Sequence, residues 1–142
     1  MSLLDVIIKL LELWSIRLKF EAPIYELREA VEKEQWFSGI VMATAFFEFW
    51  GLELLKEKFE GKISRDKFED LRLEEIILLL YSSEVINQPI YTKMMEVKKV
   101  RNKIVHNPYE LLELDKPEIL IEKAIDCLKA FGLPDKKEPL NG

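Results

Sequence analysis

Apolar residues recur along most of the chain at the three- and four-residue spacing of α-helices, and no stretch alternates apolar and polar residues as a strand does. Glycines and prolines separate these stretches, which predicts where each helix begins and ends. Pro108 in particular should push Asn107 out of the helical region, so that a helix stops near His106. The predicted helices are residues 3–20, 24–34, 36–59, 71–83, 90–105 and 117–131.

These segments predict an all-α fold, an up-and-down bundle of five to six helices. The chain of 142 residues is long enough for one domain with one core, which we place at residues 1–132. Residues 133–142, which follow a glycine and carry few apolar side chains, are predicted to form a flexible C-terminal tail.

The second long segment, residues 36–59, is apolar on nearly every face through its first four turns. A helix of this kind lies at the centre of a bundle or between two chains. Its uncharged run, residues 36–47, is too short to span a bilayer, so no membrane partner is expected. Glu48 is the lone charge from Trp36 to Leu52, and a carboxylate among aromatic residues needs a partner.

The helix of residues 90–105 carries a second charge in an apolar setting. At about 100° per residue, Arg101 falls inside the apolar stripe of this helix. A guanidinium there needs a partner or a ligand. We therefore expect Glu48 and Arg101 to pair across two packed helices, either as a structural ion pair or to hold Arg101 towards a cleft. The apolar residues of the stripe are Ile90, Met94, Val97, Val100 and Ile104.

His106 is the only histidine of the chain and stands five positions after Arg101. On a regular helix the two side chains point about 140° apart. They can converge only if the backbone deflects at the helix end, or if a second chain brings its own copy alongside. The alternative interpretation is that His106 is a helix-ending residue that bonds free carbonyls.

Charge and cysteine content narrow the function further. A net charge of −5 argues against a protein that coats nucleic acid without specificity, but leaves room for a local basic patch. Such a patch is present between residues 93 and 106, which include five lysines and arginines and one acid.

A single cysteine, Cys127, excludes an internal disulfide and favours a reducing, cytoplasmic setting. One histidine and one cysteine cannot build a zinc site within one chain, so no metal or cofactor is expected.

The segment "RNKIVHNPY", residues 101–109, resembles the R-x4-6-H motif of the HEPN superfamily. The isolated acid in "FFEFWGLELL" resembles the acidic position that precedes the motif in that family, and the likeness spans roughly residues 30–131. The resemblance implies a metal-independent endoribonuclease that is a homodimer with both motifs in one cleft, and often a toxin. In one subgroup, R-x4-H-x-Y, a nucleotidyltransferase antitoxin modifies the tyrosine. Here position 108 is proline and the tyrosine follows at Tyr109.

Cleavage of RNA without a metal needs a base for the 2′-hydroxyl, a cation for the phosphorane and an acid for the 5′-oxygen. His106 suits the base or the acid, Arg101 suits two phosphate oxygens, and Asn102 can donate to a phosphate or orient the imidazole. One imidazole cannot serve as base and acid in one step, whereas a two-fold dimer supplies two. Glu48 is predicted to support this site. The predicted RNA contacts are Lys98, Lys99, Lys103 and Tyr109.

Two other interpretations stay open. In the first, the chain has the HEPN fold but no catalysis, and Arg101 and His106 grip a nucleotide phosphate or a partner protein. In the second, the chain is a structural subunit in which Arg101 and Glu48 are a core pair.

The products of the predicted endoribonuclease would carry 2′,3′-cyclic phosphate and 5′-hydroxyl ends, because the attacking hydroxyl belongs to the substrate. DNA, which lacks that hydroxyl, should resist cleavage.

Overall fold

The computed structural model describes residues 22–135, and this part of the chain is all-helical with no β-strand. The all-α prediction is therefore confirmed for the described residues, while the predicted helix of residues 3–20 lies outside them. Five α-helices are joined by short connections, two of which contain a 3₁₀ helix. In chain order they are α1 Pro23–Glu32, α2 Trp36–Lys58, η1 Arg65–Phe68, α3 Leu73–Ser82, α4 Gln88–His106, η2 Pro108–Glu113 and α5 Pro117–Ala130.

The start of α4 shows how local sequence sets a helix boundary. The Asn87 side chain accepts a hydrogen bond from the Ile90 N–H at 3.1 Å, which satisfies one of the free donors of the first turn. Pro89 follows in that turn, where its missing N–H costs nothing. The helix begins at Gln88, two residues before the predicted start, because this cap lies upstream of the periodic apolar residues.

Helix α2 is the central helix of the described bundle. It contacts α1, α3, α4 and α5, and consecutive helices also pack against each other. Phe46 and Phe47 are fully buried along it. Gly39 allows a close approach of α2 and α5, because a Cβ there would stand 2.7 Å from the Ile121 side chain of α5. The prediction of a central helix at residues 36–59 is thus confirmed by its contacts.

Of residues 22–135, one helix is long and apolar enough to cross a membrane by length and composition, and this is α2. The core helix of a soluble protein has the same properties, so the observation is weak evidence for a membrane segment.

The chain after α5 turns back onto the bundle. Gly132 adopts a φ of 88°, a left-handed conformation that glycine takes without strain. Leu133 packs against the core, and both guanidinium nitrogens of Arg28 that face Asp135 bond its carboxylate, at 2.9 and 2.6 Å. Residues 133–135, the start of the predicted flexible tail, therefore contact the bundle, and residues 136–142 lie outside the described range.

Candidate functional site

Arg101 lies in the buried stripe of α4, as the periodicity predicted. Met94, Val97 and Ile104 of the same stripe are fully buried, whereas Arg101 is half-buried. Its Nε is shielded from solvent and has no hydrogen-bond partner. No ion pair to Arg101 occurs among the described residues. A buried donor without a partner costs free energy, so this guanidinium is placed where an added anion would stabilise it.

The predicted ion pair between Glu48 and Arg101 is wrong. Glu48 is exposed, and within residues 22–135 no ion pair joins it to Arg101. Phe46 and Phe47 point into the core, and the next residue turns about 100° further around α2 to face solvent. Because α2 is apolar on nearly every face, its sequence does not reveal which face is exposed. Glu48 therefore needs no partner.

His106 is the last residue of α4 and is exposed. Asn107 leaves the helix with φ −140° and ψ 97°, and its N–H still donates to the Lys103 carbonyl at 2.8 Å. Its side-chain oxygen accepts from the Tyr109 N–H at 3.2 Å, which starts η2 at Pro108. The predicted end of the helix near His106 is confirmed.

This boundary decides between the two ways in which Arg101 and His106 could converge. The backbone deflects at Asn107, one residue too late to swing the imidazole. Because both residues belong to one regular helix, their side chains stay about 140° apart around its axis. Convergence within one chain is excluded in this geometry. A second chain is the remaining route to a site that combines the two groups.

The charges along α4 divide into paired and unpaired groups. In its first three turns the charged side chains have partners on neighbouring helices: Lys93–Asp126 at 3.1 Å, Lys123–Glu96 at 2.5 Å and Lys98–Glu74 at 3.6 Å. In the last two turns no ion pair forms with any described residue. The side chains left without one are Lys99, Arg101, Lys103 and His106.

This division affects the residues that we predicted to contact RNA. Lys99 and Lys103 are exposed and keep their charge unpaired among the described residues, as an RNA contact requires. Lys98 is mostly buried, with 15% of its side chain exposed, and holds Glu74. Tyr109 is 78% exposed on η2. The unpaired charges of the last two turns of α4 are all positive, whereas Glu110 and Glu113 of η2 line a small pocket with Lys103.

Asn102 is exposed and lines a groove of about 640 Å³ beside α4. Two groove residues, Tyr91 and Met95, were not among the predicted site residues. Both share the face of α4 that carries Asn102, at a helical spacing that the sequence already contained. The described residues that line the groove are Tyr91, Thr92, Met95, Glu96, Lys98, Lys99, Asn102 and Lys103.

The described residues give little support for a metal site or for a cysteine nucleophile. Between residues 22 and 135 no group of three or more histidine, cysteine, aspartate or glutamate side chains is arranged to hold a metal ion. Cys127 is fully buried in α5, and desolvation by that burial raises the pKa of its thiol to about 12. A thiol with so high a pKa stays protonated near neutral pH and is a poor nucleophile.

Comparison with protein-family models, with curated proteins and with solved structures gives no significant match to this chain.

Proposed function

We propose that the protein is a metal-independent endoribonuclease of HEPN type, with one composite site at the interface of a homodimer. The observation that carries the proposal is Arg101: a half-buried guanidinium whose Nε has no partner and which forms no ion pair with the described residues. Its planar, permanently charged group suits two phosphate oxygens at once. The resemblance of residues 101–109 to the R-x4-6-H motif supplies the reaction class.

The unpaired charges at the end of α4 support a polyanionic substrate. Lys99 and Lys103 lie on the face of α4 that carries His106, about 160° around the helix axis from Arg101, and are free of ion pairs in the described part of the chain. Phosphate contacts of this kind supply most of the affinity for a nucleic-acid strand. The net charge of −5 over the whole chain disfavours indiscriminate coating, so we expect binding at this surface.

A second subunit solves both the geometry and the proton count. Because Arg101 and His106 of one chain point about 140° apart, Arg101 of one subunit meets His106 of the other around a single phosphate. Two imidazoles can then act together, one as base and one as acid. Neither role has another obvious candidate, since His106 is the sole histidine of the chain.

In the proposed reaction one imidazole takes the proton of the 2′-hydroxyl, and the resulting oxygen attacks the adjacent phosphorus. The bond from phosphorus to the 5′-oxygen breaks, and the second, protonated imidazole gives that oxygen its proton. Arg101 stabilises the charge on the phosphorane, and Asn102 donates to a phosphate oxygen or orients the imidazole. The products are a 2′,3′-cyclic phosphate and a 5′-hydroxyl.

A toxin that is silenced by a nucleotidyltransferase antitoxin is the biological setting that the resemblance favours. Tyr109 is exposed enough to be modified by a partner enzyme. It stands one position later than in the R-x4-H-x-Y subgroup, because Pro108 precedes it and η2 carries it. Modification of Tyr109 by such a partner is therefore part of the proposal that needs its own test, by mass spectrometry after co-expression.

The test of the enzyme is an RNA cleavage assay on the purified chain in the presence of EDTA. Wild type should release cyclic-phosphate ends, and His106→Ala should abolish cleavage while it still binds RNA. Arg101→Ala should lower cleavage, whereas Arg65→Ala, an exposed arginine paired with Glu53 at η1, should not. An RNA with deoxyribose at every position should stay intact.

A non-catalytic HEPN-fold module is the second candidate, because an unpartnered guanidinium binds a phosphate whether or not a bond is broken. If wild type leaves RNA uncut at every pH between about 6 and 8, and Arg101→Ala loses nucleotide binding, this module is the function and the nuclease proposal is rejected.

A further inference from the structure

Four residues of α4 form a continuous stripe that ends at the imidazole. Tyr91, Met95, Asn102 and His106 fall within about 60° around the helix axis and span about 22 Å along it. Arg101 lies outside this stripe, on the buried side. The stripe therefore connects an aromatic ring near the start of α4 with the candidate site at its end.

The groove beside α4 follows the same stripe. Tyr91, Met95 and Asn102 line it, and so do the two exposed lysines of the helix end. At about 640 Å³ it is large enough for several ring-sized groups. A groove lined by an aromatic ring, an apolar side chain and an amide, together with two exposed lysines, matches a chain of flat, uncharged groups on a charged backbone.

Tyr91 is held in place for stacking. Its ring packs on Tyr81 of α3, with ring centroids 4.6 Å apart and planes inclined by 48°. The ring is half-buried, and its hydroxyl makes no hydrogen bond to any residue in the range 22–135. A ring fixed by a neighbour loses little freedom when a further ring stacks on it, and every nucleobase offers such a face.

The charges beside the groove favour a polyanion over an acidic or neutral apolar ligand. Lys99 and Lys103 are exposed, and their ammonium groups pair with no described carboxylate. The acid at this edge, Glu96, is held by Lys123 at 2.5 Å, so its charge is largely neutralised. Glu96 therefore does not cancel the attraction to phosphates, while Glu110 and Glu113 of η2 line a separate, smaller pocket with Lys103.

We propose that this groove is a binding track for single-stranded RNA, in which one base stacks on Tyr91 and contacts Met95 while phosphates lie at Lys99 and Lys103. The direction of the track, towards Asn102 and His106, rests on the proposed nuclease function. Because stacking does not distinguish bases strongly, the track adds affinity and register more than sequence preference. A flexible single strand fits the groove, whereas a rigid duplex would have to expose its bases first.

The test measures binding of a short 2′-O-methyl oligoribonucleotide, which cannot be cleaved, to the full-length chain. Tyr91→Leu should weaken binding roughly 5- to 150-fold, the range measured for loss of one stacked base. Tyr91→Phe, which keeps the ring, should bind as wild type does. Thermal melting of Tyr91→Leu shows whether loss of the Tyr81 contact has unfolded the chain.

Lys99 offers a second variant that cannot fail through misfolding, since it is exposed and carries no ion pair with a described residue. Lys99→Ala should reduce the slope of log affinity against log salt by about 0.7, the contribution of one phosphate contact on a single strand. Lys62→Ala, an exposed lysine in the connection after α2, is the matched control and should leave the slope unchanged.

The outcomes separate the track from the nuclease. If Tyr91→Leu and Lys99→Ala bind the oligonucleotide as wild type does, while His106→Ala abolishes cleavage, the track is rejected and the nuclease stands. If both variants lose binding and wild type cuts no RNA, the track stands and the nuclease is rejected. If Lys62→Ala reduces the salt slope as much as Lys99→Ala does, the attraction is a general effect of charge, and the track is also rejected.

Discussion

At the scale of single residues, Arg101 occupies a position that lowers the free energy of unfolding. Its Nε is buried without a partner, although ordinary packing would have put an aliphatic residue in this stripe beside Met94 and Ile104. An unsatisfied buried donor costs about 1–3 kcal/mol. Such a cost is typical of a binding site, where the ligand supplies the hydrogen-bond acceptor that the protein lacks.

This cost gives a prediction for Arg101→Met. The variant keeps the apolar stem and removes the unpartnered donor, so the free energy of unfolding should be unchanged or higher by up to about 2 kcal/mol. RNA cleavage should be lost at the same time. Chemical denaturation and the cleavage assay measure the two effects on one preparation. A fall of about 3–5 kcal/mol would contradict this account, because it would reveal a buried ion pair in solution.

The residue scale also shows what periodicity can and cannot predict. Helix α4 has one apolar stripe, so a helical wheel placed Arg101 in it correctly, and Lys99 and Lys103, which fall outside the stripe, are exposed. Helix α2 has apolar residues on nearly every face, and there the wheel carried no information about Glu48. The predicted pair failed for this reason: an acid in an apolar sequence is not always an acid in an apolar environment.

At the scale of secondary-structure elements, the boundaries follow from local chemistry and most were predictable. Proline begins α1 and α5, asparagine caps both ends of α4, and Pro108 ended α4 at His106 as expected. Helix η2 was not predicted, because six residues are too few for an apolar repeat and Pro108 read only as a stop. Exposed Tyr109 and Leu112, three positions apart, lie on one side of this 3₁₀ turn.

The segment after α5 gives a pH-dependent prediction. The hydrogen bonds from Arg28 hold the pKa of the Asp135 carboxyl below its usual value. A lowered pKa means that the pair stabilises the fold above the unfolded value near 4, and that this contribution is lost as the pH falls through the folded value. Since 39% of the Asp135 side chain is exposed, Asp135→Asn should cost no more than about 1 kcal/mol.

Thermal melting at several pH values checks this expectation. Wild type should melt above Asp135→Asn at pH 7, and the two curves should converge in acid once the carboxyl is protonated. The control is Asp70→Asn, an exposed carboxylate that forms no ion pair with a described residue, which should match wild type throughout. A gap between wild type and Asp135→Asn that persists in acid would assign the effect to packing instead.

At the scale of the whole molecule, sequence patterns describe the core of one chain and say little about a neighbouring one. The central place of α2 was predictable because a helix apolar all round has to be surrounded. The groove beside α4 was not, although all of its described lining residues belong to that one helix, since a helical pattern does not give the volume of the space beside it. The dimer stays a prediction: the resemblance of residues 101–109 implies it, and the angle of about 140° between Arg101 and His106 on α4 is the geometric argument for it.

Subunit mixing tests that dimer directly. If both imidazoles of a pair are needed, wild type mixed with an equal amount of His106→Ala should leave about one quarter of the dimers active, and activity should fall with the square of the wild-type fraction. Co-expressed or co-refolded subunits allow the exchange. Mixing with Lys62→Ala should cost nothing. A fall in direct proportion to the wild-type fraction would mean that each chain works alone.

The end of α4 at Asn107 has one more consequence. While a helix stays regular, the number of residues between two side chains acts as an angular setting. Four intervening residues put the imidazole on the far side from the guanidinium, whereas six would bring it within about 20°. A chain lengthened by two residues between Arg101 and His106 could thus place both groups on one face of α4. With the spacing found here, a single chain cannot do so.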